Sequence, residues 1–423
     1  MGACFLKAMI ARANINSRFA ERILIVLDRF KAETFEELFQ AVKALPWSEF
    51  IGSSDTFPVK GYSINSTLHS VPDCQKIIKK AVVESLKEDY GISWFEETGP
   101  VHQIQFSIMK NEVTIMLDST GRGLHKRGYR PEANDAPIRE TLAAALCSLS
   151  RLRHYHTMYD PCCGSGTILI EGAMMAHNIA PGINRNFECD RWGFIPEKAW
   201  MQERERCHDI IKTDTDFVAF GSDIDFHALE LTMANAKRIK VNKFLRLDTK
   251  DIKDFNPTTE KGTLITNPPY GERMLDIKTA KNIYHIMGEK FVAKRGWSYG
   301  IISPDEEFAP TAAMHCQDIH PYTSLPYQKH WIRSSLRKNL TVRKRTKAQD
   351  IAVFSYEHVL YQIIITYNFY AHRILLEINI HTSQRQSFFP ISHNAICLCI
   401  RNNCTAESYE QHYTSLHNSC IYN

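Results

Sequence analysis

Asn267-Pro268-Pro269-Tyr270-Gly271 follows the short apolar run Thr263, Leu264, Ile265, Thr266. Two prolines continue neither a sheet ladder nor a helix, so a strand must stop there and leave a rigid loop carrying Asn267 and Tyr270. Such a loop suits a flat amine. The Asn267 side-chain oxygen and the Pro268 carbonyl can both accept from an exocyclic NH2, while the Tyr270 ring offers a stacking face for the base that carries it. An aromatic amine is a poor nucleophile because its lone pair is delocalised into the ring. Accepting both of its protons makes the nitrogen more tetrahedral and turns the lone pair toward an incoming carbon, without a strong base or a metal. The chemistry that Asn267, Pro268, Pro269 and Tyr270 point to is methylation of a base amine.

A second stretch must hold the methyl donor. Met158 to Thr167 reads as a strand end, a tight glycine turn and the start of a helix over Ile168 to His177. Gly164 and Gly166 let a ligand lie against the backbone at a helix N-terminus, where free amides attract a carboxylate or phosphate. The dinucleotide fingerprint fails, because its third glycine would fall on Leu169. A nicotinamide enzyme is therefore disfavoured. Phe217 to Gly221 reads as the next strand, with Asp223 at its tip where a ribose diol would be held and Asp225 as a helix cap. An insertion, Pro181 to Asp216, separates it from the glycine turn. A third strand, Phe244 to Leu247, leads to Asp251, placed either to accept from an adenine amino group or to cap a helix.

Asp160 to Thr167, Ser222 to Asp225 and Asn267 to Arg273 resemble the first, second and fourth motifs of class I S-adenosylmethionine-dependent RNA methyltransferases. Gly121-Arg122-Gly123-Leu124-His125-Lys126-Arg127-Gly128-Tyr129-Arg130, with Ala136 to Leu142 after it, is similar to the bacterial THUMP-domain enzymes that make N2-methylguanine in large-subunit ribosomal RNA. The likeness runs from about Arg12 to Phe308. It implies that Asp160, Gly164 and Gly166 hold the methionine part of S-adenosylmethionine, with Cys162, Ser165, Thr167 and Asn267 among the cofactor contacts. By the same resemblance Asp223 holds the ribose, Asp251 the adenine, and Asn267 to Tyr270 the target base. The fold it implies is α/β: a Rossmann-like class I methyltransferase domain over 129–308, behind a partial N-terminal subdomain and α+β THUMP module over 12–128. N6-adenine methylation remains open, because the loop serves either amine. So does a non-catalytic RNA-binding relic.

Within the N-terminal third, Pro72-Asp73 opens a helix with apolar positions at Ile77, Ala81, Val82 and Leu86, ended by Gly91. Ile104, Phe106, Ile108 and Val113, Ile115, Leu117 alternate about a Lys110-Asn111-Glu112 turn and read as a hairpin. A module without a catalytic constellation is a binder. In the resembled family it grips structured RNA, and Lys60, His125, Lys126, Arg127 and Arg130 are the basic groups expected on phosphates. A subdomain of some tens of residues is expected to be mostly missing before Arg12. Net charge is only +4, so an RNA surface must be a local patch. Twelve cysteines without metal spacing and no clean apolar span argue for a reducing cytoplasm, with neither a metal nor a membrane anchor.

The final stretch departs from the rest. All 19 glycines lie at or before Gly300, leaving turns after it without their usual residue. The resemblance also ends at Phe308, where the family continues with two further strands. Residues 309–423 are therefore expected to be an atypical tail, an altered reading frame or a fusion, poorly packed against an open sheet edge.

Overall fold

The computed structural model describes residues 2–131, 138–269, 277–291 and 296–302, together with the backbone of three short strands further on. In the N-terminal part the elements are α1 (Gly2–Asn16), β1 (Leu24–Lys31), α2 (Phe35–Lys43), β2 (Val59–Ile64), α3 (Val71–Tyr90), β3 (Ile104–Met109) and β4 (Glu112–Asp118). Thr34 and Glu37 form a reciprocal capping box that starts α2. Pro72 stands in the first turn of α3, Ile78, Ala81, Val82 and Leu86 line its buried face, and Gly91 ends it at φ 65°. The hairpin β3–β4 turns on Lys110 and Asn111, both at positive φ, as a two-residue turn matched to strand twist requires. The sheet runs β12-β1-β4-β3-β2, with β12 (Leu376–Glu377) parallel to β1.

The part that follows contains α4 (Glu140–Leu149), β5 (Thr157–Asp160), α5 (Thr167–Ala176), α6 (Glu197–Asp209), β6 (Val218–Asp223), α7 (Phe226–Arg238), β7 (Leu245–Thr249), β8 (Gly262–Thr266), α8 (Ile277–Lys290) and β9 (Trp297–Ile302). Its sheet order is β10-β11-β9-β8-β5-β6-β7, all parallel except the rim pair of β10 (Ile332–Ser335) and β11 (Asp350–Phe354). All five residues of β8 are buried, as an interior parallel strand covered on both faces must be. Tyr159, Leu264, Tyr284, Met287, Trp297 and Tyr299 form a core between the sheet and α8.

The chain leaves β5 toward β6 and β7, then returns to lay β8 and β9 on the other side. The order therefore reverses at β5, and a crevice opens beyond the carboxyl ends of β5 and β8. That places Asp160, Asp223 and Asn267 on one rim. Of the residues after Phe308, only the short strands named above are described. Backbone of β11 and β10 stands on the β9 edge; the expectation of a poorly packed tail otherwise concerns residues outside the described ones.

Candidate active site

The glycine turn after β5 is held from three directions. The Cys163 amide donates to the Ser222 carbonyl (3.0 Å), the Gly164 amide to Asp223 Oδ2 (2.9 Å), and Thr232 Oγ1 to the Gly164 carbonyl (2.7 Å). Gly164 and Gly166 take φ of 51° and 78°, and a Cβ on Gly166 would meet Thr232 Cγ2 at 2.4 Å. Only glycine satisfies both the torsion and the close approach of α7. The first turn of α5 carries no acid, and Gly166 at its N-cap gives it no side-chain cap.

Three acids sit at successive strand tips. Asp160 is 1% exposed and accepts from Thr266 Oγ1 at 2.7 Å and from the Cys162 amide at 3.2 Å. Burial nevertheless pushes its carboxyl up to about 7, with nearby Asp223 adding to the rise. Asp223 also accepts from the Asp225 amide at 3.0 Å, and Asp225 caps α7 through the His227 amide at 2.9 Å. Asp251 caps the short turn Ile252–Asp254 and pairs with Lys253 at 3.2 Å. It also lines the cavity.

That cavity, about 520 Å³, brings together Asp160, Cys162, Gly164, Ser165 and Thr167 of the turn, Asp223 and Asp251, and Asn267, Pro268 and Pro269. Its size suits a nucleoside-bearing cofactor. Tyr270 lies outside the described residues. Among the lining residues that escaped the sequence reading are Ile224, 73% exposed, and Ile252. Each directly follows a strand-tip acid, which is the signal that would have found them. Together they offer apolar contact to a flat ring. Burial pushes the Cys163 thiol well up, so it packs rather than reacts. Among the described residues no group of His, Cys, Asp or Glu is arranged to hold a metal, and no helix is long and apolar enough to cross a membrane.

The basic cluster divides. Lys60 and Lys126 are exposed. His125 meets Glu21 Oε2 at 2.6 Å. Arg127 and Arg130 require a correction, because neither faces a phosphate surface. Arg127 is 2% exposed, meets Glu171 at 3.4 Å and donates to the Leu124 carbonyl at 2.7 Å. Arg130 pairs with Glu140 at 3.1 Å and donates to Thr167 Oγ1 at 2.6 Å. The stretch 121–130 thus braces the underside of α5. Thr167 Oγ1 accepts there and keeps its own O–H to donate.

A parallel sheet reversing at a glycine turn, with acids on its strand tips, is the architecture of class I S-adenosylmethionine-dependent methyltransferases. Residues 127–323 match the family model for the RMKL-like methyltransferase domain and residues 32–118 that for the THUMP domain. The chain is 42% identical over 301 residues to a Bacillus subtilis protein named "Putative RNA methyltransferase YpsC", covering 71% of this chain and 78% of that one. It is 33% identical to the ribosomal RNA large subunit methyltransferase K/L of Shewanella pealeana, over 70% of this chain but only 43% of that much longer protein. Among solved structures, SMU.472, described as "a putative methyltransferase complexed with SAH", superposes with a TM-score of 0.68 at 36% identity, over 76% of this chain and 86% of its own. The chain belongs to the THUMP-domain, RMKL-like class I RNA methyltransferases.

Proposed function

We propose that this chain transfers the methyl group of S-adenosylmethionine to the exocyclic N2 of a guanine in large-subunit ribosomal RNA. The observation that carries this reading is the single cavity shared by the glycine turn, the strand-tip acids and Asn267. When bound, the cofactor supplies an electrophilic methyl group on a sulfonium. Asp223 spends one lone pair of each carboxylate oxygen on backbone amides, which fixes its position and leaves acceptor capacity for a ribose diol. Ile224 and Ile252 would bracket the adenine, with Asp251 accepting from its amino group. The N-terminal amides of α5 and Asp160 would receive the methionine carboxylate and ammonium. Asn267 and the Pro268 carbonyl would accept from the target amine, turned out of its stack. Mass mapping of ribosomal RNA from cells lacking the gene is expected to show one N2-methylguanine lost. Loss of an N6-methyladenine instead would move the target to adenine, and an unchanged map would remove ribosomal RNA as substrate.

The raised Asp160 carboxyl gives a pH dependence. An ammonium beside it favours the ionised form, so binding expels a proton from any molecule in which Asp160 is protonated. Cofactor affinity is therefore expected to rise as pH increases through about 7 and to level off above it. Calorimetry in buffers of different ionisation heat should detect the released proton below pH 7. Affinity flat from pH 5.5 to 8.5 would separate Asp160 from the ammonium.

On the RNA side, replacing Lys60 and Lys126 together by Ala is expected to weaken binding of a large-subunit RNA fragment. The salt dependence should become shallower by about one unit of slope per lost phosphate contact. An unchanged slope would return both to ordinary solvated side chains.

A further inference from the structure

The insertion Pro181 to Asp216 is closed at its base on the catalytic side. The Lys212 amide donates to the His177 carbonyl and His177 Nδ1 donates to the Lys212 carbonyl, each at 2.8 Å, directly after α5. From that base it reaches the N-terminal module and fastens to it repeatedly. The amides of Glu188 and Cys189 donate to the carbonyls of Thr120 (3.3 Å) and Ser119 (3.2 Å), just past β4. Trp192, 1% exposed, lies flat against His102, with ring centroids 4.6 Å apart and planes at 14°, and its Nε1 donates to the Val101 carbonyl at 3.0 Å. Phe194 meets Phe50 edge-on at 5.5 Å. Arg185 donates to the carbonyls of Gly123 (2.9 Å), Lys126 (3.0 Å) and Arg122. On α6, Glu203 accepts from Asn16 of α1 at 2.7 Å.

These contacts have a common character. Most are made to backbone carbonyls left over beyond strand ends, so each anchors a fixed point of the module rather than a mobile side chain. The insertion also springs from the C-terminal end of α5, the helix whose first turn carries the cofactor loop. Module and cofactor loop are thus joined through the ten-residue helix α5, by this bracket as well as by the contacts that Arg127 and Arg130 make to α5. An enzyme that grips RNA in one place and modifies it in another needs that separation held constant, because a displacement of about 1 Å at the reacting centre costs on the order of 100-fold in rate.

We propose that residues 181–216 are a bracket setting the distance and orientation between the RNA-gripping module and the cofactor cavity, with Trp192 a positioning residue that selects which nucleotide reaches Asn267. This rests on the RNA methyltransferase reading, so one arm of the test uses no RNA. Fluorophores attached at Lys76 and Lys243, on the two sides, report the distance distribution in the free protein by single-molecule energy transfer. A single narrow distribution is expected for the unaltered chain, and a broadened one for Trp192→Ala, with S-adenosylmethionine affinity and RNA affinity each within about 2-fold. With large-subunit RNA, Trp192→Ala should lower kcat by about 10-fold or more and spread methyl groups onto neighbouring nucleotides. Trp192→Phe, which keeps a ring against His102, should restore most of both. If Trp192→Ala does not fold, Phe194→Ala carries the same comparison with a smaller effect. A broad distribution in the unaltered chain overturns the proposal even if RNA is methylated. So does a narrow one in the variant, or a broadened one with kcat and target position unchanged.

Discussion

Asn267→Ala is expected to reduce turnover by about 100-fold or more while cofactor affinity stays near its original value. Asn267 follows β8, whose residues are all buried and whose last residue, Thr266, is fixed to Asp160 by a 2.7 Å hydrogen bond. Pro268 and Pro269 stiffen the chain beyond it. The backbone that carries the side chain is therefore held in place before substrate arrives, and under the proposed mechanism loss of the side chain would remove a contact that strengthens as the amine becomes tetrahedral. Single-turnover rates and cofactor titration on the same preparation separate the two effects. Equal weakening of binding and turnover would make Asn267 a structural residue of the crevice rather than a catalytic one.

Glu171→Ala is expected to destabilise the protein by about 3–5 kcal/mol, the range for breaking a buried ion pair from one side. Glu171 is fully buried on α5, meets Arg127 at 3.4 Å and accepts from Tyr129 Oη at 3.1 Å. Burial already lowers Arg18 to about 10, and the Glu171 charge opposes that fall. Removing the carboxylate leaves two guanidinium groups in a dry site without their counter-charge. Urea titration measures the loss. Replacing Arg127 and Glu171 together, by Met and Leu, should recover much of it, since no unpaired charge then remains. A loss under about 1 kcal/mol for Glu171→Ala alone would show that the site relaxes or admits water.

Residue type made much of the crevice legible. The glycine turn, Asp160, Asp223, Asp251 and the Asn267 loop are each marked by a local conflict: a glycine where a helix begins, an acid where an apolar run ends, or two prolines after a strand. Arg127 and Arg130 went the other way. A cation in a glycine-rich stretch reads as a surface group, and the buried partner that decides otherwise for Arg127, Glu171, lies on α5 more than forty residues away, while Arg130 is turned inward by Glu140 and Thr167. Nothing local announces it. Ile224 and Ile252 escaped because an apolar residue after a strand reads as core, whereas the crevice leaves Ile224 open to solvent. The insertion was visible as extra length but not as a bracket, since its partners are mostly carbonyls of Ser119, Thr120 and Val101, which every residue type possesses.

The pairing of α1 with α6 has a consequence for the order in which the chain is made. Met9, Ile10 and Ile15 are buried, yet Asn16 finds its partner Glu203 only 187 residues later. At roughly 5–20 residues per second, the ribosome needs on the order of ten to forty seconds to supply it. During that interval β1 to β4 can already close their own sheet and offer Ser119 and Thr120 to Asn14, while the α6 side of α1 waits uncovered. Helix α1 therefore completes its contacts only after α6 has been made, and a holdase at the tunnel exit would meet α1 before α6 does.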